Sequence, residues 1–178
     1  VGPLAANEAR ELLVARSRER GLPADADAER LVTRMAGVPL AVELAVGGLE
    51  RTRGPELRDR LESAMPSPTG DVMQGALDWT WELLDDVEQD LLAQLSVFEG
   101  GFPASAVEAV CSGSASRRAQ LPEVLGALLD RSLVAVRGDR LSLLDPVRAF
   151  ARAKRDDAAA NQTELRHGAW CARFARRV

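Results

Sequence analysis

The stretch from Met35 to Val46, with the sequence M-A-G-V-P-L-A-V-E-L-A-V, constrains the fold most strongly. Gly37 can adopt the left-handed conformation that ends a helix, and Pro39 has no amide hydrogen to lose at a first helical position. The stretch therefore predicts a helix, a tight elbow and a second helix. That second helix is apolar on nearly every side, with Glu43 as its polar residue. We therefore expect other helices to surround it.

Amphipathic patterns precede and follow the elbow. They predict helices over residues 3–20, immediately before Gly37, and from Pro55 onward. Residues 1–65 therefore predict a four-helix module whose third helix is central. The segment at 66–70 contains two prolines and a glycine. Because such residues extend neither neighbouring helix, the segment predicts a linker between domains.

Residues 71–155 predict a winged helix-turn-helix domain. Two core-facing helices and a turn with the sequence F-E-G-G-F-P are followed by helices over Ala104–Cys111 and Leu121–Ser132. Apolar and polar residues then alternate around Gly138 and Asp139, which predicts a β-hairpin. A series of helices followed by a two-stranded wing is the order of a winged helix-turn-helix.

Two helices are predicted after the wing. Asp145 and Pro146 indicate the start of the first, with Asp145 as its cap and Pro146 at the first position. Residues 156–178 predict a trailing helix, interpreted as the start of a C-terminal helical, TPR-like region. Its inward face is predicted to carry Leu165, Ala169, Trp170 and Phe174. The predicted fold class is therefore mainly α with one small β-hairpin.

The composition is that of a globular protein. The 178 residues are 46% hydrophobic, which suffices for a core. No apolar run approaches the roughly 20 residues that cross a bilayer, and the first residues do not resemble a signal peptide. We expect a cytoplasmic protein with no membrane partner. Because the sequence has no initiator Met, we also expect it to be part of a longer protein.

The two cysteines carry no metal-binding motif. Cys111 and Cys171 have no C-x-x-C spacing, and we expect both to be buried, reduced thiols. His167 and Cys171 are four residues apart and would share a helix face, but no second His or Cys pair completes four ligands. We therefore predict no metal site.

The elbow sequence G-V-P-L-A-V-E-L-A resembles the G-[LV]-P-L-A-[IV]-E-L-A segment of STAND NTPases, the class that includes NB-ARC (AP-ATPase-like) proteins and many bacterial regulators. The run A-L-D-W-T-W-E-L-L-D is similar to one in actinobacterial regulators of this class. The resemblance implies an ARC1-like helical module and a winged helix that follow a P-loop domain. In that family the motif's proline lies against adenine, which implies a nucleotide site at Gly37, Val38, Pro39 and Leu40.

A second family motif, M-H-D, senses the nucleotide phosphate through its His and Asp. The corresponding positions here are Leu143, Leu144 and Asp145. Leu144 cannot donate a hydrogen bond. Of this motif, only Asp145 is therefore carried over as an implied nucleotide contact, and a plain helix cap is its alternative role.

The chain by itself predicts no enzyme. It contains no G-x-x-x-x-G-K-[ST] sequence and no apolar strand that ends in paired acidic residues, so it lacks a phosphate cradle and a magnesium site. We expect no cofactor in the chain itself. The resemblance implies that it closes over ATP or ADP, with Mg, held by a missing P-loop domain. It would then transmit the nucleotide state of a signalling or transcriptional regulator. The implied partners are that domain and a C-terminal repeat region.

The alternative function is that of a DNA-binding winged-helix transcription factor. Residues 66–145 carry five basic and 13 acidic side chains, and the predicted recognition helix carries Glu123 and Asp130 against Arg131. DNA binding depends on Lys or Arg side chains that neutralise phosphates. The charge balance therefore argues against direct DNA binding.

Overall fold

The structure is a computed structural model that describes residues 3–22, 33, 35–49, 71–111 and 114–176. Within these ranges the chain forms eight helices and one two-stranded antiparallel sheet. It divides into two compact units, Val1–Leu84 and Asp85–Val178. The predicted fold class, mainly α with a small hairpin, is confirmed.

Three described helices form the first unit: α1 (Ala6–Glu19), α2 (Pro39–Leu49) and α3 (Val72–Glu82). The elbow helix α2 packs on both α1 and α3. Its buried side chains are Ala41, Val42, Leu44, Ala45 and Val46. Glu43 Oε1 accepts a hydrogen bond from Arg16 Nη2 of α1 at 3.1 Å, which gives the polar residue of this helix a charged partner. The expectation that other helices pack around the elbow helix is therefore confirmed for α1 and α3.

The division between the units differs from the sequence prediction. The sequence assigns residues 72–82 to the winged-helix domain, whereas α3 packs on α2 in the first unit. The physical reason lies at Gly48, where an added Cβ would be 2.4 Å from Cη2 of Trp79. The two helices can approach this closely only because Gly48 has no side chain. The linker predicted at 66–70 and the helix predicted from Pro55 lie outside the described residues.

The second unit begins with three helices, continues through a hairpin and ends with two more helices. Its elements are α4 (Asp86–Leu95), α5 (Ala104–Cys111), α6 (Ala115–Asp130), β1 (Ala135–Arg137), β2 (Arg140–Ser142), α7 (Asp145–Ala153) and α8 (Asp157–Ala175). α4 packs on α5, α6 and α7 and is the central helix. In the hairpin Val136 lies opposite Leu141, and Phe102 pairs with Leu141 in an antiparallel bridge.

The turn with two phenylalanines folds back on the core. Phe98 and Phe102 are both buried. Their rings stack with centroids 4.2 Å apart. Because Phe102 also exchanges two backbone hydrogen bonds of 2.8 Å with Leu141, this turn anchors the wing to the core of the unit.

Helix α6 begins earlier than predicted. The sequence places its start at Leu121, because residues 112–120 have the composition of a polar loop. In the structure Ser114 Oγ accepts a hydrogen bond from the backbone N–H of Arg117 at 3.3 Å and caps the helix. Pro122 lies inside it. The longer helix includes Arg117 and Arg118, which the sequence assigns to a loop.

The inward side of helix α8 agrees with the prediction only in part. Trp170 packs edge-on against the buried Phe98, as expected, but the predicted inward residues on either side of it do not face inward. Leu165 is 74% exposed and Phe174 is 54% exposed. Thr163 is buried instead, and Arg166 Nε donates to the backbone carbonyl of Val110 at 2.6 Å. Hydrogen bonding by Arg166, rather than burial of Leu165, orients this part of the helix.

The elbow offers a test of the first unit. Gly37 has φ +70°, and a Cβ there would lie 2.2 Å from the carbonyl oxygen of Leu4. We expect Gly37→Ala to lower the free energy of unfolding of this unit by about 2 to 3 kcal/mol, since positive-φ strain and the displacement of Leu4 add together. Urea unfolding followed by Trp79 and Trp81 fluorescence, in a Trp170→Phe background, measures the loss.

Gly21 provides the matched control. It has φ +64° with open space around its Cβ position, so Gly21→Ala reports the backbone strain alone, about 1 kcal/mol. Equal losses at the two glycines would contradict the role assigned to the contact with Leu4.

Candidate functional site

The residues of the predicted nucleotide site are divided between the two units. Gly37 to Leu40 form the elbow and the first turn of α2, and Pro39 is the first residue of that helix, as predicted. The elbow is closed by backbone hydrogen bonds from Val38 N to Met35 O, at 2.9 Å, and from Leu4 N to Gly37 O, at 2.7 Å. The structure therefore places these residues in a tight structural turn.

A cavity of about 400 Å³ lies beside this elbow. Its described lining residues are Leu4, Ala6, Ala9, Arg10, Thr33, Ala36 and Gly37. Of the four predicted elbow contacts, Gly37 belongs to this lining, whereas Val38, Pro39 and Leu40 do not. A nucleotide contact at the elbow stays a prediction.

Asp145 occupies the first position of α7 in the second unit. Leu144 takes the N-cap position, so the predicted Asp145 cap is displaced by one residue. Asp145 Oδ1 accepts a hydrogen bond from Arg148 Nη2 at 2.9 Å, and its side chain is 87% exposed. A carboxylate in the first turn is also favoured by the positive end of the helix dipole. These contacts give Asp145 a local role at the start of its own helix.

The second unit presents exposed arginines at the start of α6 and on the wing. Arg117 and Arg118 are exposed on α6, and Arg137 is exposed on β1. Arg137 makes no side-chain hydrogen bond or ion pair within the described part of the chain. By contrast, Arg140 Nε donates to the carbonyl oxygen of Gly101 at 2.9 Å. Arg140 therefore helps to hold the hairpin, whereas Arg137 is exposed next to the turn.

Helix α6 is fixed to the central helix by a buried ion pair. Arg131, which follows the last residue of α6, donates from Nη1 to Glu88 Oε1 of α4 at 2.8 Å, and both side chains are 7% exposed. The same nitrogen donates to Ala127 O at 3.0 Å. Arg131 therefore does not face solvent, although the sequence placed it among the charges of the recognition helix.

At its other end, α6 is paired with α4 near solvent. Arg117 Nη1 contacts Asp90 Oδ2, with side-chain exposures of 53% and 34%. Exposed pairs of this kind typically contribute less than about 1 kcal/mol. The start of α6 is thus restrained weakly and its end strongly.

The acidic excess of the predicted domain lies outside α6 and the wing. Residues 66–113 contain nine acidic and no basic side chains, whereas residues 114–145 contain five basic and four acidic ones. Several of the acids have structural partners. Asp71 caps α3, Asp85 caps α4 and Glu88 pairs with Arg131. The net charge of the whole domain therefore does not describe the surface that α6 and the hairpin present.

The two thiols have different surroundings. Cys111 is buried, whereas Cys171 is exposed, so the prediction of two buried thiols is wrong for Cys171. Burial raises the pKa of the Cys111 thiol to about 12. Cys171 Sγ lies 3.5 Å from His167 Nε2.

Among the described residues, no group of three or more His, Cys, Asp and Glu side chains is placed to hold a metal ion. No described helix has the length and hydropathy of a membrane span.

Known proteins resemble this chain over part of its length. Residues 84–156 match the family model of the winged helix-turn-helix domain. Over 147 residues the chain is 31% identical to proteins provisionally named HTH-type transcriptional regulators in Mycobacterium bovis and Mycobacterium tuberculosis. The similarity covers 75% of this chain and 17% of each relative. The chain thus spans about a sixth of the length of the curated relatives it matches.

These comparisons contradict the function implied by the STAND resemblance. They describe a winged helix-turn-helix domain and transcriptional regulators, and give no support to an origin in STAND NTPases. They favour the alternative of a DNA-binding regulator. The expectation that the chain does not bind DNA is contradicted on the same grounds. It depended on a charge averaged over residues 66–145, whereas the acidic groups are concentrated before residue 114.

The buried ion pair provides a stability test of the second unit. Glu88→Leu leaves the Arg131 guanidinium buried without its carboxylate, and we expect a loss of about 3 to 5 kcal/mol in the free energy of unfolding. Glu99→Ala is the matched control because Glu99 and Arg152 form an exposed pair at 3.4 Å, with side chains 78% and 58% exposed. Its loss should stay within roughly 0.5 kcal/mol. Similar losses in urea unfolding would contradict the structural role of the buried pair.

The thiols give a chemical test of the same unit. Because the thiolate is the reactive form, iodoacetamide at about pH 8 should label Cys171 and leave Cys111 unmodified in the folded protein, and label both in urea. Cys171→Ser should remove the native label. Mass spectrometry of proteolytic peptides identifies the labelled thiol, and rapid native labelling of Cys111 would contradict its burial.

Proposed function

We propose that this chain is the DNA-binding, winged-helix portion of a transcriptional regulator, with α6 as the recognition helix and the β1–β2 hairpin as the wing. The observation that carries the proposal is the match of residues 84–156 to the winged helix-turn-helix domain. The relatives are named as regulators of transcription, and catalysis forms no part of the proposal. The cytoplasmic location predicted from the sequence fits this function.

The exposed residues of α6 have the chemistry to contact DNA. The helix has 16 residues and is thus roughly 24 Å long, and the major groove admits an α-helix. Arg118, Gln120 and Glu123 are exposed on it. Arg binds phosphate or guanine, Gln can pair with adenine, and Glu can accept from the amino group of cytosine. Glu123 is therefore compatible with base recognition, although it does not neutralise phosphate.

The wing supplies a second contact. Arg137 is exposed one residue before the turn at Gly138 and Asp139. The hairpin is held by the backbone bridge between Phe102 and Leu141. A wing fixed in this way can place the Arg137 guanidinium against the phosphate backbone at little cost in conformational entropy. DNA would then meet positive charge from both elements.

Fluorescence anisotropy of a labelled duplex of mixed sequence, titrated with the chain at several salt concentrations, tests the proposal. We expect saturable binding in the micromolar range at low salt, weakening as salt rises. Arg118→Ala and Arg137→Ala should each reduce the slope of log K against log salt by about 0.9, the value for one lost phosphate contact.

Arg173→Ala serves as the control, because Arg173 is also an exposed arginine but lies on α8. It should leave the slope unchanged. Absence of salt-dependent binding would overturn the proposal. A reduced slope in Arg173→Ala together with an unchanged slope in Arg118→Ala would place the DNA contact on the trailing helix and not on the recognition helix.

A further inference from the structure

The inward side of α8 carries an arginine that makes several hydrogen bonds. Arg166 Nε donates to Val110 O at 2.6 Å, at the end of α5. Its Nη2 donates to Gln94 Oε1 of α4 and to Thr163 Oγ1, both at 3.2 Å. Gln94 and Thr163 are both buried. A half-buried guanidinium with three acceptors therefore joins α8 to α4 and α5.

The Gln94 side chain connects Arg166 to Asp90, one turn earlier on α4. Because a guanidinium donates hydrogen bonds and cannot accept them, the amide oxygen of Gln94 must face Arg166. The amide nitrogen is thereby directed to Asp90, and Gln94 Nε2 donates to Asp90 Oδ2 at 2.9 Å. Asp90 Oδ2 is also the atom that pairs with Arg117 of α6. One carboxylate oxygen thus accepts hydrogen bonds from Gln94 and from the recognition helix.

We propose that Arg166, Gln94 and Asp90 form a relay that sets how available Arg117 is to the phosphates of duplex DNA. The identification of DNA as the ligand rests on the proposed function. Asp90 competes with phosphate for the Arg117 guanidinium. Gln94 holds the Asp90 carboxylate in the orientation that pairs with Arg117, and Arg166 holds the Gln94 amide.

The relay connects the position of α8 to the DNA surface. If α8 moves away from α5, Arg166 loses its bonds to both Val110 and Gln94. The Gln94 amide can then rotate, the Asp90 carboxylate is less ordered, and Arg117 is released. Asp90, Gln94 and Arg166 are positioning residues in this scheme, and Arg117 is the group that contacts the ligand.

Chemical modification of Arg117 in the free protein tests the relay without DNA. The measured quantity is the phenylglyoxal modification rate of Arg117, relative to that of Arg118, determined by mass spectrometry of the full chain. Asp90→Asn should raise this ratio about two- to fivefold, as expected for loss of an exposed ion pair. Arg166→Met and Gln94→Met should each raise it about twofold and add nothing further in the Asp90→Asn background.

Trp170→Ala is the control for general loosening of α8. Trp170 packs edge-on against Phe98, with ring centroids 6.5 Å apart, and is not a member of the relay. This substitution should leave the Arg117 ratio unchanged. If Trp170→Ala raised the Arg117 ratio as much as Arg166→Met does, the relay would be overturned. The relay would also be overturned if the increase in the double variant Arg166→Met, Asp90→Asn equalled the product of the two single increases. Gln94→Met keeps the test decisive if Arg166→Met weakens folding. It breaks the same relay but leaves the hydrogen bond between Arg166 and Val110 in place.

The salt dependence of DNA binding tests the same relay with its ligand. Asp90→Asn should steepen the slope of log K against log salt by about 0.9, the value for one additional phosphate contact, and should have no effect in the Arg117→Ala background. If the wild-type chain binds DNA and Asp90→Asn leaves the slope unchanged, the relay is overturned and the proposed function stands. If the modification rates change as expected while the wild-type chain fails to bind DNA, the relay stands and the proposed function fails.

Discussion

The attachment of α6 to the central helix α4 is the interaction on which the second unit depends. It is made by two ion pairs of opposite character. Glu88 and Arg131 are buried, and separation of such a pair leaves a charge without solvent or partner. Arg117 is exposed and Asp90 is partly exposed, so water screens their attraction. The buried pair therefore fixes the position of α6. In the exposed pair, Arg117 can leave Asp90 for a ligand.

The charge of the domain shows why a sum over a sequence is a poor measure of a binding surface. Phosphate responds to charges within about a Debye length, roughly 10 Å at moderate salt, and not to a domain average. Most of the acidic residues precede α6 in the sequence, and several cap helices or pair internally. The groups exposed on α6 and the wing include Arg118 and Arg137. Their local field decides whether DNA is attracted.

The elbow shows the limit of a short motif. Its glycine and proline predict a turn and a buried helix for reasons of backbone sterics, and the structure contains both. The implied nucleotide site depended on family resemblance, which the comparisons do not support. The carbonyl oxygen of Leu4 would lie 2.2 Å from a Cβ at Gly37. Packing alone therefore accounts for the glycine.

The sequence by itself determined the features that depend on neighbouring residues. These include the apolar helix after Pro39, the bounds of Ala104–Cys111 and the hairpin turn at Gly138 and Asp139, because periodicity and turn chemistry act within a few residues. The tertiary structure decided which unit contains α3 and which side of α8 faces inward. Those outcomes depend on the close approach of Gly48 to Trp79 and on the hydrogen bonds of Arg166 to Val110 and Gln94. Such partners are tens of residues apart, and a local pattern carries no information about where they meet.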